Sequence, residues 1–218
     1  MFYFRLIVYL IVSIGYSFVY AGSYDDFFLA VQRDKAPQVQ ALLRRGFDPN
    51  SVSPEGDYAL IFALRRSSMA VVQVLVANPD TQVEVRTIND ESPLMLAAIK
   101  GELEICRQLI ERDADVNKPG WAPLHYAASS GKPEVIQLLL DHYAYIDAAS
   151  PNGSTPLMMA ARYGSTEAVE LLLASGADPM LKNQLGLTAL DFAKQGEHPD
   201  AVKRLTTILA AKAAPGSN

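Results

Sequence analysis

The sequence predicts an all-α repeat fold: a solenoid of about six helix-turn-helix units joined by short β-hairpin or loop fingers. Three recurring features predict it: a leucine-centred block, an aliphatic block after it, and a polar turn that closes each unit. The leucine of the first block stands at positions 60, 94, 124, 157 and 190. These leucines are 34, 30, 33 and 33 residues apart, a period that is typical of stacked helix pairs.

The first block predicts a short helix with a defined start. It reads Thr-Pro-Leu-Met-Met-Ala-Ala from Thr155, and similar copies begin at Ser92, Ala122 and Thr188, with a weaker copy at Tyr58. A threonine before a proline provides an N-cap hydroxyl, and the proline fits the first helical turn because no N–H is needed there. The paired alanines let neighbouring helices approach closely.

The second block predicts an amphipathic helix, since aliphatic residues recur at helical spacing, as in the stretch 135–140. Gly46 and Gly176 follow two of these blocks, where a helix ends with positive φ. Each helix is about two turns long and marginal alone, so stability must come from stacking one unit on the next.

Three departures from the pattern predict local differences. The 30-residue interval predicts a shortened finger at residues 117–120, and Asn78-Pro79 in place of a glycine turn predicts an altered loop. Asp113 and Tyr143 occupy positions where glycine is expected. Because tyrosine tolerates positive φ poorly, either Tyr143 is strained or its helix ends differently.

These blocks resemble the ankyrin repeat, with its T-P-L-H-x-A-A, V-V-x-L-L and G-A-D-x-N segments. The resemblance covers about Tyr24 to Lys212 and predicts a domain over residues 22–213, followed by a disordered tail at 214–218. Its units are 24–55, 56–89, 90–119, 120–152, 153–185 and 186–213. The resemblance implies a protein-binding module that is not an enzyme, and a structural hydrogen bond between repeats for His125.

Residues 1–21 are predicted to be a signal peptide. Arg5 precedes an uncharged apolar run, and Val19-Tyr20-Ala21 provides small residues for cleavage after Ala21. Cleavage predicts a periplasmic or secreted protein. The periplasm is favoured by a single cysteine, Cys106, which allows no intramolecular disulfide, and by resemblance to exported bacterial ankyrin proteins. The alternative is an uncleaved membrane anchor, the one case in which a membrane is a partner.

Charge and motifs exclude several function classes. The net charge is −5, and the loss of Arg5 on cleavage makes it −6, so no nucleic-acid partner is expected. Catalytic and dinucleotide motifs are absent from the sequence. Asp113–Asn117 imitates the start of a calcium loop, but Lys118 replaces its glycine and Leu124 its glutamate. We therefore predict no catalytic residues, no cofactor and no metal site.

The resemblance implies that a partner binds the concave face formed by finger tips and inner helices. The variable positions of that face are Asp57, Glu91, Trp121 and Ser154 before the first block, and Arg65, Arg66, Ile99, Lys100, Ser129, Ser130, Arg162 and Tyr163 after it. We predict a patch centred on Trp121, Arg162 and Tyr163, because these residue types dominate binding hot spots. Trp121 has an alternative role, which is to pack over the shortened finger.

The expected partner is another exported or envelope protein, bound by a monomer. Two alternatives stay open: an inhibitor or immunity protein that neutralises an exported toxic enzyme, and a membrane-tethered scaffold with an uncleaved N-terminus.

Overall fold

The computed structural model describes residues 22–213, which form twelve short helices in six consecutive pairs. The predicted signal peptide at 1–21 and the predicted tail at 214–218 lie outside the described residues. Each predicted unit contains one helix pair. The helices are α1 over residues 22–32, α2 Ala36–Arg44, α3 Ala59–Arg66, α4 Met69–Ala77, α5 Pro93–Lys100, α6 Leu103–Glu111, α7 Pro123–Ser130, α8 Pro133–Asp141, α9 Pro156–Tyr163, α10 Thr166–Ala174, α11 Ala189–Gln195 and α12 Pro199–Ala213.

The chain divides into two compact units between residues 82 and 83. The first unit contains α1–α4 and has an aromatic core. The ring of Phe27 stacks on that of Phe47 at a centroid distance of 4.3 Å. Phe28 meets Phe62 edge-on at 5.6 Å. Since Phe27, Phe28 and Phe62 are buried, these contacts fix α1 against the helix pair that follows it.

The second unit contains α5–α12 in two packed rows. The first helices of each pair, α5, α7, α9 and α11, pack on one another, and the second helices do the same. The marker leucines Leu94, Leu124 and Leu157 are at most 1% exposed. Burial of each such side chain contributes about 1.5–3 kcal/mol. Short helices that are marginal alone are thus stabilised by their neighbours, as the repeat pattern predicts.

The starts of α5, α9 and α11 follow one arrangement. Thr155 Oγ1 accepts a hydrogen bond from the Met158 backbone N–H at 3.4 Å, which confirms the predicted N-cap. The fourth residue of the block reaches back to the N–H that precedes the helix: Asp191 Oδ2 accepts from the Thr188 N–H at 2.9 Å. These hydrogen bonds, with the Thr188 backbone contact as the largest cause, lower the pKa of Asp191 below its ordinary value.

The second helices end at positions that need positive φ, which explains the glycines there and shows how other residues replace them. Gly46 and Gly176 have φ values of +89° and +102°, as predicted. Tyr143 has φ +63°, so α8 ends in the same left-handed way and the tyrosine is strained. Asp113 adopts φ +62°. The end of α4 differs, because Asn78 is extended at φ −81° and ψ 121°, which confirms the predicted altered loop.

The fingers are tight turns with little strand structure. In the finger before α9, the Ser150 N–H donates to Ser154 O at 3.0 Å and the Gly153 N–H to Ser150 O at 2.8 Å. The loop between α6 and α7 covers only residues 112–122, whereas that between α8 and α9 covers 142–155. This confirms the shortened finger. Within residues 22–213 the structure contains one isolated bridge, between Val52 and Tyr58. None of the described helices is both long enough and apolar enough to cross a membrane.

Candidate protein-binding surface

The C-terminal ends of the first helices in the second unit lie side by side. Ser130 Oγ, at the end of α7, donates to Ala98 O in α5 at 3.3 Å. Gly131 approaches the next pair so closely that a Cβ there would lie 2.7 Å from the Ser165 nitrogen. His198 Nε2 lies 3.0 Å from Arg162 O at the end of α9. We call the candidate residues on this row the inner-helix surface: Ile99, Lys100, Ser129, Ser130, Arg162 and Tyr163.

Arg162 is held in place by three neighbours. Its guanidinium carbon lies 5.2 Å from the centroid of the Tyr163 ring and 5.9 Å from that of Phe192. Its Nη1 donates to Gln195 Oε1. Tyr163 is 57% exposed, so an aromatic ring and an arginine stand together at the solvent boundary. Cation–π contacts of this kind orient the guanidinium before any partner arrives.

The serines of this row have internal roles. Ser129 Oγ donates to His125 O at 2.8 Å, and Ser130 Oγ donates to Ala127 O at 3.1 Å as well as to Ala98 O. Both serines and Lys100 are half-buried, while Ile99 is 42% exposed. The row therefore offers one apolar contact at Ile99 and its strongest polar and aromatic contacts at Arg162 and Tyr163.

Trp121 is half-buried and packs on a buried histidine. Its ring meets that of His125 edge-on, with a centroid distance of 5.3 Å and an interplanar angle of 77°. The tryptophan thus covers the start of α7 with part of its surface and leaves the rest open to solvent. Both roles predicted for Trp121 are compatible with this placement.

His125 links two repeats, as the resemblance implies. Its Nδ1 accepts from the Ala122 N–H at 3.1 Å, so Nε2 carries the proton and donates to Ser154 O at 3.0 Å. The side chain is fully buried, and burial lowers the pKa of His125 below its ordinary value. A neutral imidazole is what this pair of hydrogen bonds requires.

The predicted patch is spread along the helices. Trp121 precedes the start of α7, whereas Arg162 and Tyr163 end α9. Contacts at both ends show that α7 and α9 run parallel, since His125 bonds to Ser154 near their starts and Gly131 meets Ser165 near their ends. An eight-residue helix is about 12 Å long. Trp121 is therefore about one helix length from the arginine–tyrosine pair.

Two of the candidate side chains are too buried to contact a partner. Ser154 is 1% exposed and Asp57 is 6% exposed. Glu91 is half-buried, and its Oε1 accepts from the Tyr126 hydroxyl at 3.3 Å. Burial, with the Glu91 charge as a second cause, raises the pKa of Tyr126 to about 12. The positions before each helix thus serve mainly to hold the fingers in place.

Arg65 and Arg66 lie in the first unit, at the end of α3. Arg65 Nη1 pairs with Asp57 Oδ2 at 2.7 Å, and this contact accounts for the buried carboxylate. Arg66 pairs with Glu55, and its guanidinium carbon lies 4.8 Å from the Phe62 ring centroid. An arginine packed on an aromatic ring at the end of a first helix thus occurs in both units.

Several residues of the second unit have roles that the sequence analysis missed. Lys118 is 10% exposed, pairs with Asp90 and donates to Pro119 O at 3.0 Å. Arg86 pairs with Glu84 at 2.6 Å and with Asp90 at 3.6 Å. This ionic network ties the shortened finger to the finger before it. The replacement of a full hairpin by Asn117–Gly120 was the available signal, but side-chain pairing across repeats is not encoded in spacing.

Exposed apolar residues were missed as well. Ile88 and Leu185, at two finger tips, are 98% and 80% exposed, and Tyr143 and Tyr145 are 85% and 68% exposed. Of these four residues, only Tyr143 could have been noticed in the sequence, because it occupies a position where glycine is expected.

The described residues contain no group of three or more His, Cys, Asp or Glu that could hold a metal ion. Cys106 is fully buried, and burial together with the nearby Glu102 carboxylate raises its thiol pKa to about 12. Cys106 therefore packs as a small apolar residue.

Comparison with known proteins identifies the family. A family model for ankyrin repeats matches three overlapping segments, residues 27–119, 77–150 and 124–213. The chain belongs to the ankyrin-repeat family. Ankyrin repeats generally mediate protein–protein interactions and are typically non-enzymatic modules.

The relatives are longer proteins. The chain is 31% identical to the B-cell lymphoma 3 protein homolog of Mus musculus over 199 residues, which cover 87% of this chain and 43% of that protein. It is 34% identical to the 2-5A-dependent ribonuclease of Mus musculus over 85 residues, which cover 37% of this chain and 12% of the ribonuclease. It is 30% identical to neurogenic locus notch homolog protein 1 of Xenopus tropicalis over 134 residues, which cover 60% of this chain and 5% of that protein. The chain thus spans less than half the length of these ankyrin relatives.

Proposed function

We propose that this ankyrin protein is an exported binding module whose inner-helix surface holds a protein partner. The observation that carries the proposal is the arginine–tyrosine pair at the end of α9. Arg162 is oriented by two aromatic rings and Gln195, and Tyr163 is exposed beside it. Because side chains that are already ordered lose little entropy on binding, such a pair favours a specific contact.

The export half of the proposal is supported by the sequence of residues 1–21. Intact-mass measurement of the protein recovered from the cell envelope or the medium tests it. The expected mass is that of residues 22–218. Retention of residues 1–21 would instead favour the membrane-tethered scaffold.

The partner is expected to be another exported or envelope protein. An affinity pull-down from envelope extract identifies it and also tests whether the partner is an exported enzyme, as the inhibitor or immunity alternative requires. An oxidoreductase, protease or nuclease whose activity falls on binding would support that alternative; a non-enzymatic partner would exclude it.

The surface is tested with substitutions in the same pull-down. Arg162→Ala and Tyr163→Ala are expected to lower partner recovery strongly, and Trp121→Ala to lower it less, because part of that ring covers His125. Thr206→Ala, on the exposed face of α12, is the control and should leave recovery unchanged. Undiminished recovery by a folded Arg162→Ala/Tyr163→Ala variant would exclude the inner-helix surface as the binding site.

A further inference from the structure

Two exposed tyrosines lie in the loop after α8, away from the inner-helix surface. Tyr143 is 85% exposed and Tyr145 is 68% exposed. Only residues 131 and 132 join α7 to α8, so the two helices run antiparallel. The end of α8 therefore lies at the opposite end of the helix pair from Ser129 and Ser130. We call residues 141–147 the tyrosine loop.

The backbone of the tyrosine loop is held by the preceding repeat. Asn117 Nδ2 donates to Tyr143 O at 2.8 Å, and Asn117 Oδ1 accepts from the Tyr145 N–H at 2.8 Å. Asn50 makes the same pair of contacts in the first unit, to Asp80 O and the Gln82 N–H. This two-bond contact, which we call the asparagine clasp, thus occurs in both units, and of these two clasps only that of Asn117 presents two aromatic rings to solvent.

The fold does not require a tyrosine at position 143. The corresponding position after α10 is Gly176, which adopts φ +102° without strain. Tyr143 holds φ +63°, a conformation that is an outlier for a bulky residue. Its ring gains little burial in return, because 85% of the side chain remains exposed. Strained residues cluster at functional sites, so strain at an exposed bulky residue that gains little packing fits a binding role.

The charge around the tyrosines selects the chemistry of the partner. Asp141 ends α8, and Asp113 occupies the equivalent of position 143 in the preceding repeat, where neighbouring helices are about 8–10 Å apart. Asp115 Oδ1 accepts from the Asn117 N–H at 2.9 Å, which places a third carboxylate beside the asparagine clasp. All three carboxylates are exposed, and Asp141 Oδ1 also accepts a hydrogen bond from Gln137 Nε2 at 2.7 Å. The basic side chains nearby are the half-buried Arg112 and the exposed His142.

Exposed tyrosine rings beside exposed carboxylates match a guanidinium, which stacks on the ring and pairs with the carboxylate. The same carboxylates repel nucleic acid and anionic lipid.

We propose that the tyrosine loop, with Asp113 and Asp115, binds an arginine-bearing segment of a protein partner. This second contact surface rests on the protein-binding role proposed above, but it does not depend on the inner-helix surface. Tyr143 and Tyr145 stack on the arginine side chains, and the carboxylates pair with them.

The test is a fluorescence-anisotropy titration of the full chain against a short labelled peptide of alternating arginine and leucine. A peptide of alternating glutamate and leucine is the charge-reversed control. The arginine peptide should bind saturably, and Tyr143→Gly should weaken binding by about ten-fold or more, since loss of an aromatic anchor typically has that effect. Asp113→Asn/Asp115→Asn should weaken binding and reduce its dependence on salt.

Two control variants separate this surface from other effects. Glu197→Gly replaces another exposed residue at positive φ, with φ +57°, and should leave the affinity unchanged. Tyr163→Ala should also leave it unchanged; an affinity loss in that variant alone would place the peptide on the inner-helix surface and overturn the proposal.

Three other results would overturn it: no saturable binding, equal binding of the glutamate peptide, or unchanged affinity in Tyr143→Gly. Binding to phosphatidylserine vesicles that Tyr143→Gly abolishes, without binding of the arginine peptide, would assign the surface to a membrane instead.

Discussion

Tyr143 allows a direct test of backbone strain in this fold. We compare two substitutions at the same position, Tyr143→Gly and Tyr143→Ala. Both remove the ring, which is 85% exposed. With a buried area of about 30 Å² out of roughly 200 Å², each loses about 0.8 kcal/mol of hydrophobic stabilisation. This loss is common to the two variants and cancels in their comparison.

The remaining difference reports the cost of φ +63°. A left-handed conformation costs an L-residue with a Cβ about 1–2 kcal/mol, and glycine escapes this cost. Glycine also has more freedom in the unfolded chain, which offsets about 0.4–1 kcal/mol of the gain. We therefore expect the glycine variant to be more stable than the alanine variant by about 1 kcal/mol.

Urea denaturation, monitored by far-UV circular dichroism, measures the difference in the free energy of unfolding between the two variants. The midpoints are compared at a common m-value, because repeat arrays can lose cooperativity. Gln137 provides the control, since it lies inside α8 on its exposed face. At position 137 the glycine variant should be less stable than the alanine variant by about 0.5–1 kcal/mol. An alanine variant at position 143 that equals or exceeds the glycine variant in stability would refute the assignment of strain to Tyr143.

Four further predictions concern the second unit. His125→Leu should lower the free energy of unfolding by about 2–4 kcal/mol, because two buried backbone groups lose their partner, whereas Met95→Leu at the equivalent position should change it by less than about 1 kcal/mol. The pKa of His125 is lowered from 6.5 by burial, so its contribution is complete above pH 6.5 and is lost as the pH falls through the folded pKa. The free energy of unfolding is measured against pH for the wild type and for His125→Leu. The difference between the two curves should show that loss, and a difference that does not change with pH would contradict it. Gly131→Ala should destabilise by about 2 kcal/mol or more, since its Cβ would lie 2.7 Å from neighbouring backbone, whereas Gly176→Ala, with nothing within 4 Å, should show only the left-handed cost of about 1 kcal/mol; thermal denaturation of both variants separates these effects. Cys106, whose thiol pKa is raised to about 12, should react with a disulfide reagent only at the rate of unfolding, and rapid labelling of the native protein would contradict its burial.

The features of the fold that depend on short-range chemistry were predictable from the sequence. The proline after Thr155 and the glycines after the second blocks mark where helices start and end, and the structure has them there. The shortened interval predicted the short loop at 112–122. Position 143 was ambiguous from the sequence, because strain at one residue depends on whether the surrounding contacts hold it. The hydrogen bonds that close α8 decide the outcome: the Tyr143 N–H donates to Leu140 O and the Ala144 N–H to Leu139 O, the same pattern as at Gly176.

The candidate surface was less predictable. Position in the repeat indicates which residues face away from the stack, but not which of them are used internally. Ser154 is 1% exposed and Asp57 is paired with Arg65, so two variable positions serve the finger itself. Exposure at Ile88 and Tyr145 depends on side-chain directions in irregular turns, which periodicity does not determine.

Hydrogen–deuterium exchange of the chain, with and without the partner recovered from envelope extract, tests the proposed binding surface most directly. The inner-helix surface predicts slower exchange around residues 99–100, 129–130 and 162–163 in the complex, with the largest change beside Arg162 and Tyr163. A partner complex that forms while exchange at all three segments stays unchanged would contradict the proposal that this surface binds the partner.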